Sequence, residues 1–223
     1  MERACPDSVV EIDKETVKYN LRGKVKEKEC FRRVFVSYKA CWSGFLNGCR
    51  PYLAVDATAL NGRFRGQLAA ACAIDGHNWL FPVAYGVLET ESEESWTWFL
   101  QNLRQVIGFP DGLVIHTDAC KGLEIAVEKV FPQVEHRECM RHLAGNVNRA
   151  KHKGKLVDDN LWQSSLTYIL KKHEYHLNQL YRNPKLKKFL QDNHKKVWAR
   201  SKFNELCKVD YVNNNLAVFQ FMD

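Results

Sequence analysis

The chain has 223 residues, 45% hydrophobic and 26% charged, a make-up that suits a soluble globular protein with room for one domain and an appendage. No apolar run reaches the ~18 residues of a membrane span, and the acidic start broken by Pro6 does not read as a secretory signal, so membrane and secreted classes are set aside and a nucleocytoplasmic protein is expected. The net charge of +7 is uneven: residues 146–205 hold 14 Lys+Arg against 5 Asp+Glu, which is +9 and leaves −2 elsewhere. Such a segment suits a polyanionic partner such as DNA, although a charge run also fits a solvated helical surface. The eight cysteines, at 5, 30, 41, 49, 72, 120, 139 and 207, lack the spacing of a small disulfide scaffold and read mostly as reduced thiols.

In chain order, residues 1–35 alternate charges with few apolar residues and are expected to form a loosely structured lead-in. Order is expected from Phe31–Tyr38 onward through Trp42 and Phe45. Tyr52-Leu53-Ala54-Val55 is a short apolar run ending in Asp56, and Gln67–Ile74 and Leu80–Leu88 follow across the turn Asp75-Gly76-His77-Asn78, so 52–88 reads as an antiparallel meander. Thr90 with Glu93 fits a capping box for a helix whose apolar face is Trp96, Phe99, Leu100, Leu103, Val106 and Ile107, ending before Gly108. On that spacing Trp96 and Phe99 are core, whereas Trp98 falls off the face and stays open between packing and base stacking. Leu113–Thr117 is a buried strand stopping at Asp118, Gly122–Val130 a helix, and Val134–Arg137 a further strand. From Cys139 onward the pattern is helical, with Pro184 as a break. Three strands, helix, strand, helix, strand is the order of a ribonuclease-H-like α/β fold, in which helices flank a mixed sheet. The expected division is a lead-in over 1–35, a core over 36–138, and a basic helical region over 139–223.

Asp56 and Asp118 each end an apolar strand, at a sheet rim where a carboxylate can meet a metal. Two such acids can share Mg²⁺ or Mn²⁺, which take few carboxylates together with waters and phosphate oxygens. Taken separately, each reads first as a turn-capping acid. Cys139 and His142 form a Cys-x-x-His element with no second finger-like pair, the nearest histidines being His152, His173 and His176, so zinc is left open. His116 either tunes the acidic site or faces a neighbouring strand. Lys151, Lys153, Lys155, Lys171, Lys172, Lys187 and Lys188 are the candidate phosphate contacts of the basic region.

The surrounding text is more specific than the spacing. Arg50-Pro51-Tyr52-Leu53-Ala54-Val55-Asp56-Ala57-Thr58, then Asp75-Gly76, Phe81-Pro82, Glu94-Ser95-Trp96-Thr97-Trp98-Phe99-Leu100, Thr117-Asp118 with Lys121-Gly122-Leu123, Glu135–Leu143, Trp198-Ala199-Arg200 and Asn214-Asn215 resemble, in order, the catalytic domain of plant Mutator-like element (MULE) transposases. The resemblance implies Asp56 and Asp118 as the first two acids of an Asp-Asp-Glu metal triad, Cys139/His142 as the family's Cys-x-x-His element, DNA as partner, and a nuclear location. It also implies a glutamate soon after the Asn-Asn pair. Here the text runs Asn213-Asn214-Asn215-Leu216-Ala217-Val218, so Val218 stands in the glutamate's place or the glutamate is deleted, and Asp223 is off that helical face. The zinc modules that the family carries on either side of this domain are not found. The expectation is therefore a shortened, impaired transposase core, with a homo-oligomer left open. The alternatives are a domesticated regulatory DNA-binding protein, like the plant far-red-response factors that resemble the same transposases, and an incomplete gene model of an active transposase.

Overall fold

In the computed structural model the described residues are 5–214, and their centre is one mixed sheet. In chain order the elements are β1 (Val9–Leu21), β2 (Lys24–Ser37), α1 (Lys39–Gly48), β3 (Tyr52–Ala59), β4 (Gln67–Ile74), β5 (Leu80–Leu88), α2 (Glu93–Ile107), β6 (Val114–Thr117), α3 (Lys121–Val130) and β7 (Glu135–Glu138), then α4 (Met140–Arg149), α5 (Lys155–Leu166), α6 (Leu170–Leu180) and α7 (Pro184–Asn193). The strand order is β1-β2-β5-β4-β3-β6-β7. Pairing is antiparallel from β1 to β3 and parallel from β3 through β6 to β7. This is an α/β architecture with helices against the sheet.

The lead-in expectation is corrected. Residues 9–37 form a long two-stranded arm, because the alternating charges pair across strands, as in Lys14–Glu29 (3.5 Å) and Lys18–Glu27 (3.0 Å), in place of being spent on solvent. Its turn is Arg22-Gly23, both with positive φ (54° and 78°), the geometry that matches the twist of a tight hairpin. Asn20 Oδ1 accepts the Gly23 N–H at 3.0 Å and closes it. The capping box is also corrected: Ser92, not Thr90, caps α2, its Oγ accepting the Ser95 N–H at 3.1 Å. Pro184 starts a helix in place of breaking one, at the first turn of α7 behind the Asn183 cap, where its missing N–H has no partner to lose.

The meander strands run as the alternation predicts, β4 and β5 over the expected residues. Pro82 sits where the ladder shifts, Ala71 facing Ala84 and Cys72 facing Pro82, so Val83 is an extra residue. Its carbonyl is satisfied by Ser37 Oγ at 2.8 Å. One sheet face, with Leu53, Val55 and Ile115, packs against Trp96, Phe99, Leu100 and Leu103 of α2 and Leu123, Ala126 and Val127 of α3. Trp98 is partly buried beside this core, with the Arg33 guanidinium 4.9 Å from its ring centre, so its face is occupied. A second apolar cluster begins at Met140 and gathers α4, α5, α6 and α7 around Leu143, Val147, Leu161, Leu186 and Trp198. No described helix is long and apolar enough to cross a membrane.

After α7 the chain returns to the sheet. Val197 bridges the β7 edge, and the strap of residues 204–214 crosses the face carrying Tyr52, Ala54 and Val114 with Cys207 and Val209. The fully buried Arg137 holds that strap: its guanidinium donates to Val209 O (2.5 Å) and Asn204 O (3.1 Å), and Phe203 stacks 3.8 Å away.

Candidate metal centre

Asp56 and Asp118 come from parallel neighbours, β3 and the end of β6. The register pairs Ala54 with His116, so two residues further along, Asp118 follows the end of β6 beside Asp56; against expectation Asp56 does not end its strand, because β3 continues to Ala59 with Asp56 facing Ala70 of β4. Tyr52, Ala54 and Asp56 alternate on one face of β3, which places Asp56 on the strap-covered side. Asp56 is only 6% exposed. Its Oδ1 accepts the Ala57 N–H at 2.8 Å, while Oδ2 is buried with no partner among the described residues. Asp118 Oδ1 accepts the Cys120 N–H at 3.1 Å, turning the chain into α3. Burial, and then the Asp118 charge, push the Asp56 carboxyl up to about 7, and burial also raises Asp118. Two carboxylates that resist ionising together, one with a lone pair left over, fit a hard divalent cation: it would relieve both the repulsion and the unpaired oxygen. Among the described residues no group of three or more Cys, His, Asp or Glu is gathered closely enough to hold an ion.

A third carboxylate near the pair was not singled out by sequence reasoning. Glu91, in the β5–α2 connection, adds to the elevation of Asp56, and its own pKa is raised by burial and then by Asp118. Gly122 lets it approach: a Cβ there would stand 2.8 Å from Glu91 O and 2.9 Å from Glu93 N. Within the acid-rich Thr90–Glu94 text, the only available signal was that the acids lie just beyond a strand end. Gly122→Ala is expected to lower stability by about 1–3 kcal/mol through that backbone clash. Gly145→Ala on α4, where a Cβ meets nothing within 4 Å, is expected to raise it by a few tenths to 1 kcal/mol, and thermal melts of the two check this.

Cys139 and His142 lie against the same edge. Cys139 is buried at the start of α4, and its Sγ receives the Asn214 N–H at 3.4 Å; burial raises its thiol pKa, which does not favour the thiolate that zinc takes. For His142, burial lowers the pKa and the Asp118 charge opposes it. The three histidines considered with them are engaged elsewhere: His173 Nδ1 donates to Ser164 O at 2.8 Å, His176 Nδ1 bonds Asn160 Oδ1 at 2.9 Å, and the His152 ring packs on Phe189. His116 turns to the neighbouring strand, its Nδ1 2.7 Å from Tyr52 OH, and burial holds it far below the usual range, at about 3. All seven candidate lysines are exposed. They are dispersed, with Lys151, Lys153 and Lys155 around the α4–α5 loop, Lys171 and Lys172 on α6, and Lys187 and Lys188 on α7, where Lys188 also pairs with Asp192 (2.9 Å). Asn214, of the Asn-Asn pair, reaches Val55 O with its side-chain amide at 3.4 Å, beside Asp56. Val218, where the third acid is sought, lies outside the described residues.

Fold and site together define a mixed-sheet α/β protein with two neighbouring carboxylates on adjacent parallel strands, Asp56 within β3 and Asp118 just past the end of β6. Residues 52–146 match the MULE transposase domain, a span that includes both aspartates, Glu91, Cys139 and His142. This stretch, rather less than half of the chain, is therefore related to the Mutator-like transposases. It is 28% identical over 89 residues to Protein FAR1-RELATED SEQUENCE 6 of Arabidopsis thaliana, covering 40% of this chain and 12% of that protein. It is 32% identical over 66 residues to the PKS-NRPS hybrid synthetase cheA of Chaetomium globosum, covering 28% of this chain and 1% of that protein. The matched stretches are thus small parts of both relatives. The Trp198-Ala199-Arg200 and Asn214-Asn215 motifs fall beyond the matched domain.

Proposed function

We propose that this chain is a ribonuclease-H-like core derived from a Mutator-like transposase, binding DNA through its basic helical region and carrying a weakened phosphodiester-cleavage centre at Asp56 and Asp118. The observation that carries the reading is the juxtaposition of a buried Asp56 with an unpartnered oxygen and a half-buried Asp118, on adjacent parallel strands where β6 ends beside β3, inside a stretch that matches the MULE transposase domain. When bound, Mg²⁺ or Mn²⁺ supplies charge stabilisation for attack on a phosphodiester. Asp56 and Asp118 hold it, the Ala57 and Cys120 N–H groups fix their free rotation, and the strap excludes water from the buried side. With no acid at the family glutamate's place, whether Val218 stands there or the glutamate is deleted, the centre is one carboxylate short, a loss of several kcal/mol of stabilisation and of several powers of ten in rate.

The test is DNA nicking with Mg²⁺ or Mn²⁺ by the unaltered chain, by Val218→Glu, and by a chain with Glu inserted between Ala217 and Val218. Little nicking by the first, with activity in one of the others that Asp56→Asn removes, is expected. Robust nicking by the unaltered chain, lost in Asp118→Asn, would overturn the impairment. DNA binding is expected to be sequence-tolerant and steeply salt-dependent. Replacing Lys151, Lys153 and Lys155 by Ser should flatten the slope of log affinity against log salt by up to about 3, roughly one unit per lost phosphate contact. The likeness to a FAR1-related protein favours a second reading, a domesticated regulatory DNA-binding protein with no enzymatic role; binding that persists with no nicking in any glutamate-restored form would support it.

A further inference from the structure

One residue beyond Asp118 in the chain opens a cavity that sequence reasoning did not anticipate. About 330 Å³ in volume, it lies among α3, α4 and α7 and is lined by Lys121 and Arg149, the carboxamides of Asn146 and Asn193, the Phe189 ring and His194. Ala119, the residue after Asp118, also lines it, so the cavity adjoins the acidic edge along the chain. No carboxylate lines it, and among the described residues neither Lys121 nor Arg149 forms an ion pair. Lys121 is the first residue of a ten-residue helix, whose N-terminus adds partial positive charge. Arg149 donates one Nη2–H to Asn146 Oδ1 at 2.5 Å, which positions the guanidinium and leaves its other donors free.

His194 adds an independent indication. It is 5% exposed, and its Nδ1 is held by the buried Glu138 carboxylate, so Nε2 is the ring's remaining polar atom; it is buried and has no partner among the described residues. Nε2, when it carries a proton, can donate it to an anion, and the ring lines this cavity beside Lys121 and Arg149 as well as the neighbouring one toward α6.

We infer that this cavity seats a backbone phosphate of the DNA strand beside the scissile position, gripped by Lys121, Arg149 and the His194 imidazole backed by Glu138. The inference rests on the DNA-binding reading above and sharpens it. Of the basic residues it makes Lys121 and Arg149 the specific contacts, with Lys171 and Lys172 of α6 supplying general attraction only.

The test uses the full chain and a short fluorescent duplex with one strand interrupted, measured by anisotropy at fixed salt. Lys121→Ala/Arg149→Ala is expected to weaken binding about tenfold or more, and Lys171→Ala/Lys172→Ala, which removes the same charge, about two- to threefold. In a scan replacing single phosphates by neutral methylphosphonates, one position near the interruption should weaken the unaltered protein and leave Lys121→Ala/Arg149→Ala unaffected. In histidine-labelled protein the duplex should shift the His194 ring signals. Equal losses in the two double variants, with no sensitive methylphosphonate position, would overturn the cavity assignment while the DNA-binding reading stands. No binding by the unaltered chain would overturn both.

Discussion

Asp56→Asn is expected to make the metal-free protein more stable than the unaltered chain at pH 8, by about 2 kcal/mol, or roughly 4–8 °C in Tm. The sign follows from the raised carboxyl. In the unfolded chain Asp56 titrates near 3.8, and in the folded chain near 7, because it is buried and then because Asp118 opposes its charge. The folded state thus holds the extra proton between these values. The contribution of this group is fully present below about pH 4, falls as pH rises, and is gone above about 7. A shift of that size corresponds to about 4 kcal/mol at 1.36 kcal/mol per unit, and the amide avoids it. Against this stands the ~1–3 kcal/mol cost of an amide NH₂ placed where Oδ2 has no partner, which leaves the stated net gain. Thermal melts from pH 4 to 8 check it: the unaltered chain should lose its advantage on the way up. Millimolar Mg²⁺ at pH 8 should stabilise the unaltered chain and leave Asp56→Asn unmoved.

The second large effect is expected at Arg137. Its guanidinium is fully buried and ties β7 to the strap through Val209 O, Asn204 O and Cys207 Sγ (3.2 Å), with Glu135 Oε1 at 2.5 Å as its counter-charge. Arg137→Met removes the donor side only, leaving buried carbonyls and a carboxylate unanswered, and is expected to cost about 3–5 kcal/mol. The strap should loosen first, since Arg50 Nη1 to Lys208 O (3.1 Å), Arg200 Nε to Asp210 O (2.8 Å) and Met140 N to Val212 O (2.7 Å) hold it only at separate points. Amide exchange of residues 204–214 should rise well before that of β3 and β4. Because the side chain of Asn214 in the strap reaches Val55 O, the same substitution should also weaken divalent-cation affinity at Asp56. Exchange that rises uniformly across the sheet would show that Arg137 supports the fold as a whole.

What could be read from the sequence divides by range. β4 and β5 were legible to the residue because their apolar runs are bounded by a strong Asp-Gly turn, and the two aspartates announced themselves by ending apolar runs in strands that then pair in parallel. The hairpin of residues 9–37 was hidden because its alternating charges read as solvated coil until the cross-strand partner is known, although Arg22-Gly23 between two alternating stretches was a turn signal. Ser92 displaced Thr90 as the cap through a choice between two neighbouring hydroxyls that spacing does not rank. Glu91 and the cavity among α3, α4 and α7 depend on contacts between segments far apart in the chain. Gly122 meets Glu91 across 31 residues, and Glu138 meets His194 across 56. Arg137 likewise sits in a strand that the fold places at the sheet edge, and only the strap, 72 residues on at Val209, explains why a full guanidinium is buried there.

The central claim is that Asp56 and Asp118 together hold a divalent cation at the sheet edge. Calorimetric titration of the full chain with Mn²⁺ at pH 8, repeated on Asp56→Asn and on Asp118→Asn, tests it most directly. Saturable binding by the unaltered chain, released protons at pH 6.5 as the raised carboxyl gives up its proton, and loss of binding in either single variant are the predicted results. Binding of equal strength in both variants would place the ion elsewhere and contradict the account.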